Sequence, residues 1–309
     1  MAAFRLGDVH VNLVDTPGHP DFIAEVERVL HILDGGVLVV SAVEGVQPQT
    51  RILMRALRRL AVPTLLFANK IDRPGASAEG TLRAIGQRLT DRAVRMTETS
   101  ALGGQNATAA ALGPVAAPFA RELTDVLSRS DDRVLEEYVG HNGHVPYGRL
   151  RQALAEQTRR GLVHPVFFGS ARTGAGISDL MAAMAELLPL SAGPSAGPFA
   201  GTVFKVERDQ RGGKIADVRV FSGSLRTHGR VRTGDGTEGK ISSIAVFQPG
   251  AIKRQAAAGA GNIAKVGTSP PCGSARCLAS PRPPALSITS HRPPSSPWWL
   301  RSGRRTSGT

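Results

Sequence analysis

The apolar residues of the first 190 positions follow two alternating patterns. Short runs that are apolar on both faces occupy residues 36–42, 63–72 and 163–171. Such runs are typical of strands buried within a parallel sheet. Apolar stripes at helical spacing occupy residues 21–35, 48–61 and 177–190. This order of strands and helices predicts a parallel α/β sheet with right-handed crossovers and helices on both faces.

The patterns are weaker in three other parts of this region. Residues 2–15 predict a hairpin, because two strand-like runs flank the turn-prone pair Gly7-Asp8. Helical spacing returns around residues 121–140 and 147–160. The Ala- and Gly-rich residues 101–120 have no clear period and predict a loop or a small insertion.

The pattern changes completely after residue 190. Residues 191–199 are mostly small, include two prolines and carry no charge, which predicts a linker. From residue 200 to 266, short β-rich runs alternate with glycine-containing turns, which predicts a small antiparallel β-barrel. The sequence therefore predicts a first domain at 1–190, a linker at 191–199 and a barrel at 200–266.

Residues 267–309 have neither period and are dominated by Pro, Ser and Arg, which predicts a disordered tail. The tail carries six arginines and no Asp, Glu or Lys, so it holds six of the thirteen net positive charges. Its abrupt start favours the hypothesis of an out-of-frame translation product, with a basic RNA-binding tail as the alternative. Cys272 and Cys277 have no neighbouring ligand residues, so we expect no zinc site there.

The composition limits the class of protein. The apolar fraction is 41%, an ordinary value for a soluble protein. No apolar run approaches the roughly 20 residues of a membrane-spanning helix, and the amino terminus lacks the pattern of a signal peptide. We therefore expect a cytoplasmic protein without a membrane partner.

Three short motifs follow predicted strands, where open α/β sheets bind ligands. The first is Asp15-Thr16-Pro17-Gly18-His19. The carboxylate can hold a water of a Mg²⁺ shell, and the glycine N–H can approach a γ-phosphate closely. His19 would then lie near the attacking water, where phosphoryl transfer needs mainly positioning and charge neutralisation.

The second and third motifs supply groups that can recognise guanine. The Asp72 carboxylate can accept hydrogen bonds from N1–H and N2–H₂ of guanine, and adenine offers no such pair of donors. Asn69 can bind the base edge or tie loops together, and the Lys70 stem can lie against the ring face. In Ser170-Ala171-Arg172, a backbone N–H can donate to guanine O6. Together the three motifs predict a guanine-nucleotide site.

The stretch from Val11 to Arg73, which contains VDTPGH and ANKID, resembles a translational GTPase of the elongation factor G superfamily. GVQPQTRILMRALRR and GLVHPVFFGSARTGAGI are most similar to the tetracycline resistance ribosomal-protection proteins of actinomycete type. The resemblance covers residues 2–266. It implies a cytoplasmic, monomeric GTPase with GTP or GDP and Mg²⁺ as cofactors and the ribosome, not DNA, as its partner.

The resemblance also implies roles for single residues. Asp15 would hold Mg²⁺ through water, Gly18 would contact the γ-phosphate, and His19 would orient the hydrolytic water. Asn69, Lys70 and Asp72 would read guanine, helped by Ser170 and Ala171. Thr16 and Arg172 would also belong to the cofactor-binding residues.

Two parts of the family pattern have no counterpart in this sequence, namely the Gly-rich phosphate loop and the threonine of the first switch loop. The chain would thus begin in the family's second strand, so we expect an incomplete P-loop GTPase-type sheet with exposed apolar edges and impaired GTP hydrolysis. This expectation holds unless the true start of the gene lies upstream of Met1. Two alternatives stay open: a fragment of an elongation factor G-type translocation factor, and a non-enzymatic ribosome-binding module.

Overall fold

The computed structural model describes residues 1–16, 23–113, 117–140, 144–190, 196–208, 214–233, 238–269 and 277–279. Contacts between Cα atoms divide the chain into two compact units. One unit is Met1–Ser191 with Ala245–Arg254, and the other is Ala192–Ile244 with Gln255–Thr309. The domain boundaries given by the sequence patterns stay predictions.

The first 190 residues contain both helices and strands. The helices are α1 (Ile23–Leu30), α2 (Pro48–Arg59), α3 (Ala78–Arg88), α4 (Ala117–Ser128), α5 (Asp132–Gly140), α6 (Tyr147–Arg159) and α7 (Ile177–Leu187). The strands are β1 (Ala2–Leu6), β2 (Val9–Leu13), β3 (Gly36–Ser41), β4 (Thr64–Asn69), β5 (Ala93–Arg95), β6 (Thr97–Ser100), β7 (Thr108–Ala111) and β8 (His164–Phe168).

Four of these strands form a parallel sheet in the order β3-β4-β8-β5. The predicted α/β architecture with a parallel sheet is therefore confirmed. β1 and β2 form the predicted hairpin, closed by a turn at Gly7, and among the described strands they pair only with each other. β3 is consequently an edge strand in the described sheet, and its Val39 side chain is 53% exposed.

β4 lies at the centre of two hydrophobic cores because its side chains alternate between the faces of the sheet. Leu65 and Phe67 belong to the core that is completed by α4, α6 and α7. Leu66 and Ala68 belong to the core that is completed by α1, α2 and α3. This arrangement explains the continuous apolar run at this position, since neither face of the strand contacts water.

The structure differs from the sequence-based prediction between residues 78 and 140. α3 was not indicated by a clear apolar stripe, and the predicted helix at 121–140 is two helices that are separated at Arg129–Asp131. Residues 101–120, predicted as a loop or a small insertion, contain β7, which pairs with β6, and the start of α4. The segment is therefore more regular than a loop.

The strands after residue 199 form a curled antiparallel β structure. Its strands are β9 (Ala200–Arg208), β10 (Lys214–Ser222), β11 (Ser224–Arg226), β12 (Arg230–Thr233), β13 (Glu238–Gln248), β14 (Ala251–Arg254), β15 (Ala257–Gly259), β16 (Ile263–Ser269) and β17 (Cys277–Ala279). Seven of them form a sheet, and β11 pairs with β15. The antiparallel β prediction is thus confirmed.

The predicted tail is only partly described. β16 extends to Ser269, and Cys277–Ala279 forms β17, which pairs with β9 and β12. The remaining tail residues lie outside the described part of the chain, so their disorder stays a prediction. Among the helices that the structure describes, none is both long and apolar enough to cross a membrane.

Candidate functional site

The carboxyl ends of β3, β4 and β8 lie side by side at one edge of the parallel sheet. Ser41 is in register with Asn69, and Ala68 is in register with Phe168. The chain leaves these strands through loops that carry two of the three predicted motifs. The structure therefore brings Asn69, Lys70 and Asp72 next to the loop of residues 170–172, about a hundred residues later in the sequence.

Asn69 ties the two loops together, one of the two roles that its sequence context allows. Its Oδ1 atom accepts the backbone N–H of Lys70 at 2.8 Å and that of Ala171 at 2.9 Å. Its backbone carbonyl accepts the N–H of Ala42, at the end of β3, at 2.8 Å. A single residue at the end of β4 thus fixes the positions of three loop segments.

Ser170 organises the second loop from a fully buried position. Its Oγ accepts the backbone N–H groups of Arg172 and Thr173, both at 3.2 Å. Its carbonyl accepts the N–H of Gly174 at 2.8 Å. The loop ends at Gly176, whose φ of +70° and close approach to the Phe168 carbonyl exclude a side chain.

Asp72 presents its carboxylate beneath this loop with only 4% of the residue exposed. A hydrogen bond from Ser170, followed by one from Arg172, holds the pKa of Asp72 below its usual value. The Arg172 Nε donates to Oδ2 at 2.7 Å. Asp72 is therefore an ionised hydrogen-bond acceptor, as recognition of the guanine N1–H and N2–H₂ donors requires.

Lys70 and Glu44 form an ion pair that joins the loops after β3 and β4. Lys70 adopts a positive φ of 72°, and its Nζ lies 3.0 Å from Glu44 Oε1. The hydrogen bond from Lys70 is the largest factor that lowers the pKa of Glu44, and Ser41 Oγ donates to the same carboxylate. Ser41 and Glu44 are not among the site residues predicted from the sequence. The available signal was the buried strand at 36–42, because its carboxyl end must share an edge with Asn69.

The first motif is described only in part. Asp15 follows β2 and is exposed, and Thr16 is half-buried. Pro17–Phe22 lie outside the described residues, so the predictions for Gly18 and His19 do as well. No group of three or more His, Cys, Asp or Glu side chains within the described part of the chain could hold a metal ion.

Comparison with protein families identifies the domain that carries this site. The family described as the elongation factor Tu GTP binding domain matches residues 1–190. The chain belongs to this family. The elongation factor G domain 2 family matches residues 198–269 of this GTP-binding-domain protein. The resemblance to translational GTPases drawn from the motifs is therefore confirmed, and with it the presence of a GTP-binding domain.

Curated relatives of this family member are tetracycline resistance proteins. It is 49% identical over 274 residues to the oxytetracycline resistance protein of Streptomyces rimosus, an alignment that covers 86% of this chain and 41% of the relative. It is 40% identical over 276 residues to the tetracycline resistance protein TetM of Streptomyces lividans, with 85% and 42% covered. The chain thus spans about two-fifths of the length of these relatives.

A solved crystal structure supports the fold. A protein from Thermus thermophilus superposes with a TM-score of 0.75 over 92% of this chain and 46% of its own length. The two sequences are 23% identical, so the match shows a common fold alone.

Proposed function

We propose that the chain binds guanine nucleotides at the loops after β4 and β8, as part of a ribosome-associated translational GTPase of the tetracycline resistance type. One observation carries the proposal. The ionised and buried Asp72 is held by Ser170 in the same pair of loops that Asn69 ties together. A family match to a GTP-binding domain over residues 1–190 supports it.

Base selection follows from the charge of Asp72. An ionised carboxylate only accepts hydrogen bonds, so it favours a base that presents two adjacent N–H donors. Guanine has this pair and adenine does not. The exposed stem of Lys70, two positions before Asp72, supplies an apolar surface for one face of the ring.

Phosphate and metal binding fall to the residues that follow β2. Asp15 and Thr16 follow β2, and a lone carboxylate fits an indirect contact to Mg²⁺ through water better than a complete metal site. Mg²⁺ would then be held mainly by the nucleotide phosphates and would neutralise their charge. We assign Gly18 to the γ-phosphate and His19 to the orientation of water, in keeping with the family resemblance.

A swap of base preference tests the nucleotide site. The wild-type chain should bind GDP in preference to ADP in equilibrium titrations. Asp72→Asn places an amide donor where the carboxylate accepts. This variant should therefore lose affinity for GDP and gain affinity for xanthosine diphosphate, which carries an oxygen at the 2-position. Asp125→Asn removes an exposed carboxylate on α4 and serves as the control. Equal binding of GDP and ADP by the wild-type chain would refute the assignment.

The ribosomal role rests on the relatives and needs its own experiment. Translational GTPases change their ribosome affinity with nucleotide state, so sedimentation with ribosomes should increase with a non-hydrolysable GTP analogue. Sedimentation that is independent of nucleotide would favour the alternative of a non-enzymatic ribosome-binding module. Growth of tetracycline-challenged cells that express the chain distinguishes the resistance branch from an elongation factor G-type fragment, because only the former should raise the inhibitory concentration.

A further inference from the structure

The carboxylate that would select guanine already has a cationic partner within the chain. The Arg172 Nε lies 2.7 Å from Asp72 Oδ2, and the side chain of Asp72 is only 2% exposed. A second arginine, Arg73, lies 3.9 Å from the same oxygen through its own Nε, too far for a hydrogen bond. Arg172 is therefore the arginine that satisfies Asp72 in this structure.

The donor group of Arg172 has the same chemistry as the edge of guanine. A guanidinium presents N–H groups in a planar fork that matches a carboxylate. Guanine presents N1–H and N2–H₂ around one carbon, which is the same nitrogen–carbon–nitrogen arrangement. A base that bonds both carboxylate oxygens of Asp72 needs Oδ2, the oxygen that Arg172 Nε already contacts at 2.7 Å, so the base and the side chain compete for the same acceptor.

We infer that Arg172 is an internal competitor of guanine: its side chain donates to Asp72 in this structure and has to move away when the base binds. This inference rests on the proposed guanine-nucleotide site. It makes Arg172 a residue that sets affinity and base preference, in addition to its place in the Ser-Ala-Arg motif.

Arg172 is the group of this loop that can move without dismantling it. Its side chain is 50% exposed. The backbone of the loop is fixed by contacts that do not involve the guanidinium, namely Ala171 N–H to Asn69 Oδ1 and Arg172 N–H to Ser170 Oγ. Rotation of the side chain therefore opens Asp72 and leaves the loop intact. The base gains a buried carboxylate, and the guanidinium gains water.

The competition lowers the apparent affinity by the fraction of time that Asp72 is free. A half-exposed ion pair contributes up to about 1 kcal/mol, which corresponds to about fivefold in affinity at 25 °C. The effect should be limited to guanine nucleotides, since a base without the paired donors does not need Asp72. It should also decrease with salt, because the screening length falls to about 3 Å at about 1 M salt.

Titration of the full chain with GDP tests the inference. Arg172→Met keeps an unbranched stem and removes the donors, and Arg73→Met removes the same charge from the more distant arginine next to Asp72. We expect Arg172→Met to bind GDP about fivefold more tightly than wild type at low salt, with a smaller gap at high salt. Arg73→Met should bind like wild type, and ADP binding should be equal in all three.

A second measurement follows the arginine itself. The Nε–H resonance of Arg172 should move towards the position of solvent-exposed arginines when GDP is added and should not move with ADP. GDP binding by Arg172→Met that equals or falls below the wild-type level would overturn the inference and leave the proposed function standing. Absence of GDP binding in every variant, Arg172→Met included, would overturn both.

Discussion

Gly176 provides the sharpest test of how the Ser170 loop is built. It begins α7 with a φ of +70°, and a Cβ at this position would lie 2.2 Å from the Phe168 carbonyl oxygen. That oxygen cannot retreat easily, since Phe168 ends a central strand and its N–H is bonded to Thr97 Oγ1 at 2.8 Å. Gly176→Ala therefore adds a steric conflict to the unfavourable left-handed backbone.

Gly174→Ala separates these two contributions. Gly174 lies in the same loop with a φ of +83°, but an added Cβ would meet no atom within 4 Å. We expect the control to lose about 1 kcal/mol from backbone conformation alone. Gly176→Ala should lose about 3 kcal/mol or more, because the backbone must also shift.

The assay is thermal unfolding followed by circular dichroism. For a domain of this size, 1 kcal/mol corresponds to about 2–4 °C in Tm. The Tm of Gly174→Ala should therefore be about 2–4 °C lower than that of wild type, and the Tm of Gly176→Ala about 6–12 °C lower or more. If the two variants unfold at the same temperature, the close packing of Gly176 against the end of β8 is not what shapes the loop.

Three further predictions concern stability. Leu154→Ala, at a fully buried position of α6, should lose about 3 kcal/mol in urea unfolding, whereas Leu135→Ala, 46% exposed on α5, should change stability by under about 0.5 kcal/mol. Lys205 and then Lys265 lower the pKa of Glu207 from 4.5 to about 2. The stability that the ionised Glu207 adds is present above pH 4.5 and is lost as the pH falls towards 2. The free energy of unfolding of Glu207→Gln should therefore depend less on pH over that interval. Burial lowers the pKa of His164 from 6.5, so wild type should lose stability as the pH falls below 6.5 and His164→Gln should not; an unchanged pH profile would contradict the burial argument.

β4 and β8 were predictable because burial on both faces leaves a continuous apolar run. The edge strand β3 has such a run although Val39 is exposed, and the three-residue β5 was not predicted. α3 was not, because its buried positions are Ala78, Thr81 and Ile85, of which only the last is large and apolar. Its start depends on the Ser77 side chain, which accepts the N–H of Gly80 at 3.1 Å. A capping serine alone does not predict a helix unless the residues that follow also show a buried apolar face.

The break between α4 and α5 shows a similar limit. The apolar stripe continues across it, with Leu127 and Val134 both fully buried. Asp131 nevertheless starts a new helix, since its carboxylate accepts the N–H of Arg133 and its carbonyl accepts that of Val134. Periodicity alone predicts which residues face the core and does not show where the axis changes direction.

The candidate site was predictable where a motif carried the chemistry and not where partners came from elsewhere. Asn69, Asp72 and Ser170 stand out because polar residues directly follow buried strands. Glu44 does not, because its partner Lys70 follows a different strand and no spacing in the sequence shows that the two side chains meet. The pairing of Arg172 with Asp72 is likewise a matter of side-chain conformation, which no spacing rule contains.

The hydrogen bond from Ala171 to Asn69 limits when the candidate site can form during protein synthesis. It joins residues 102 positions apart. Because a ribosome adds about 5–20 residues per second, Ala171 is synthesised about 5–20 s after Asn69. Throughout that interval Asn69, Lys70 and Asp72 have left the synthesis site without the strand that completes their pocket. Guanine affinity that appears during translation would therefore show that β8 has paired with β4. A nascent chain arrested before residue 171 should not bind guanine nucleotides.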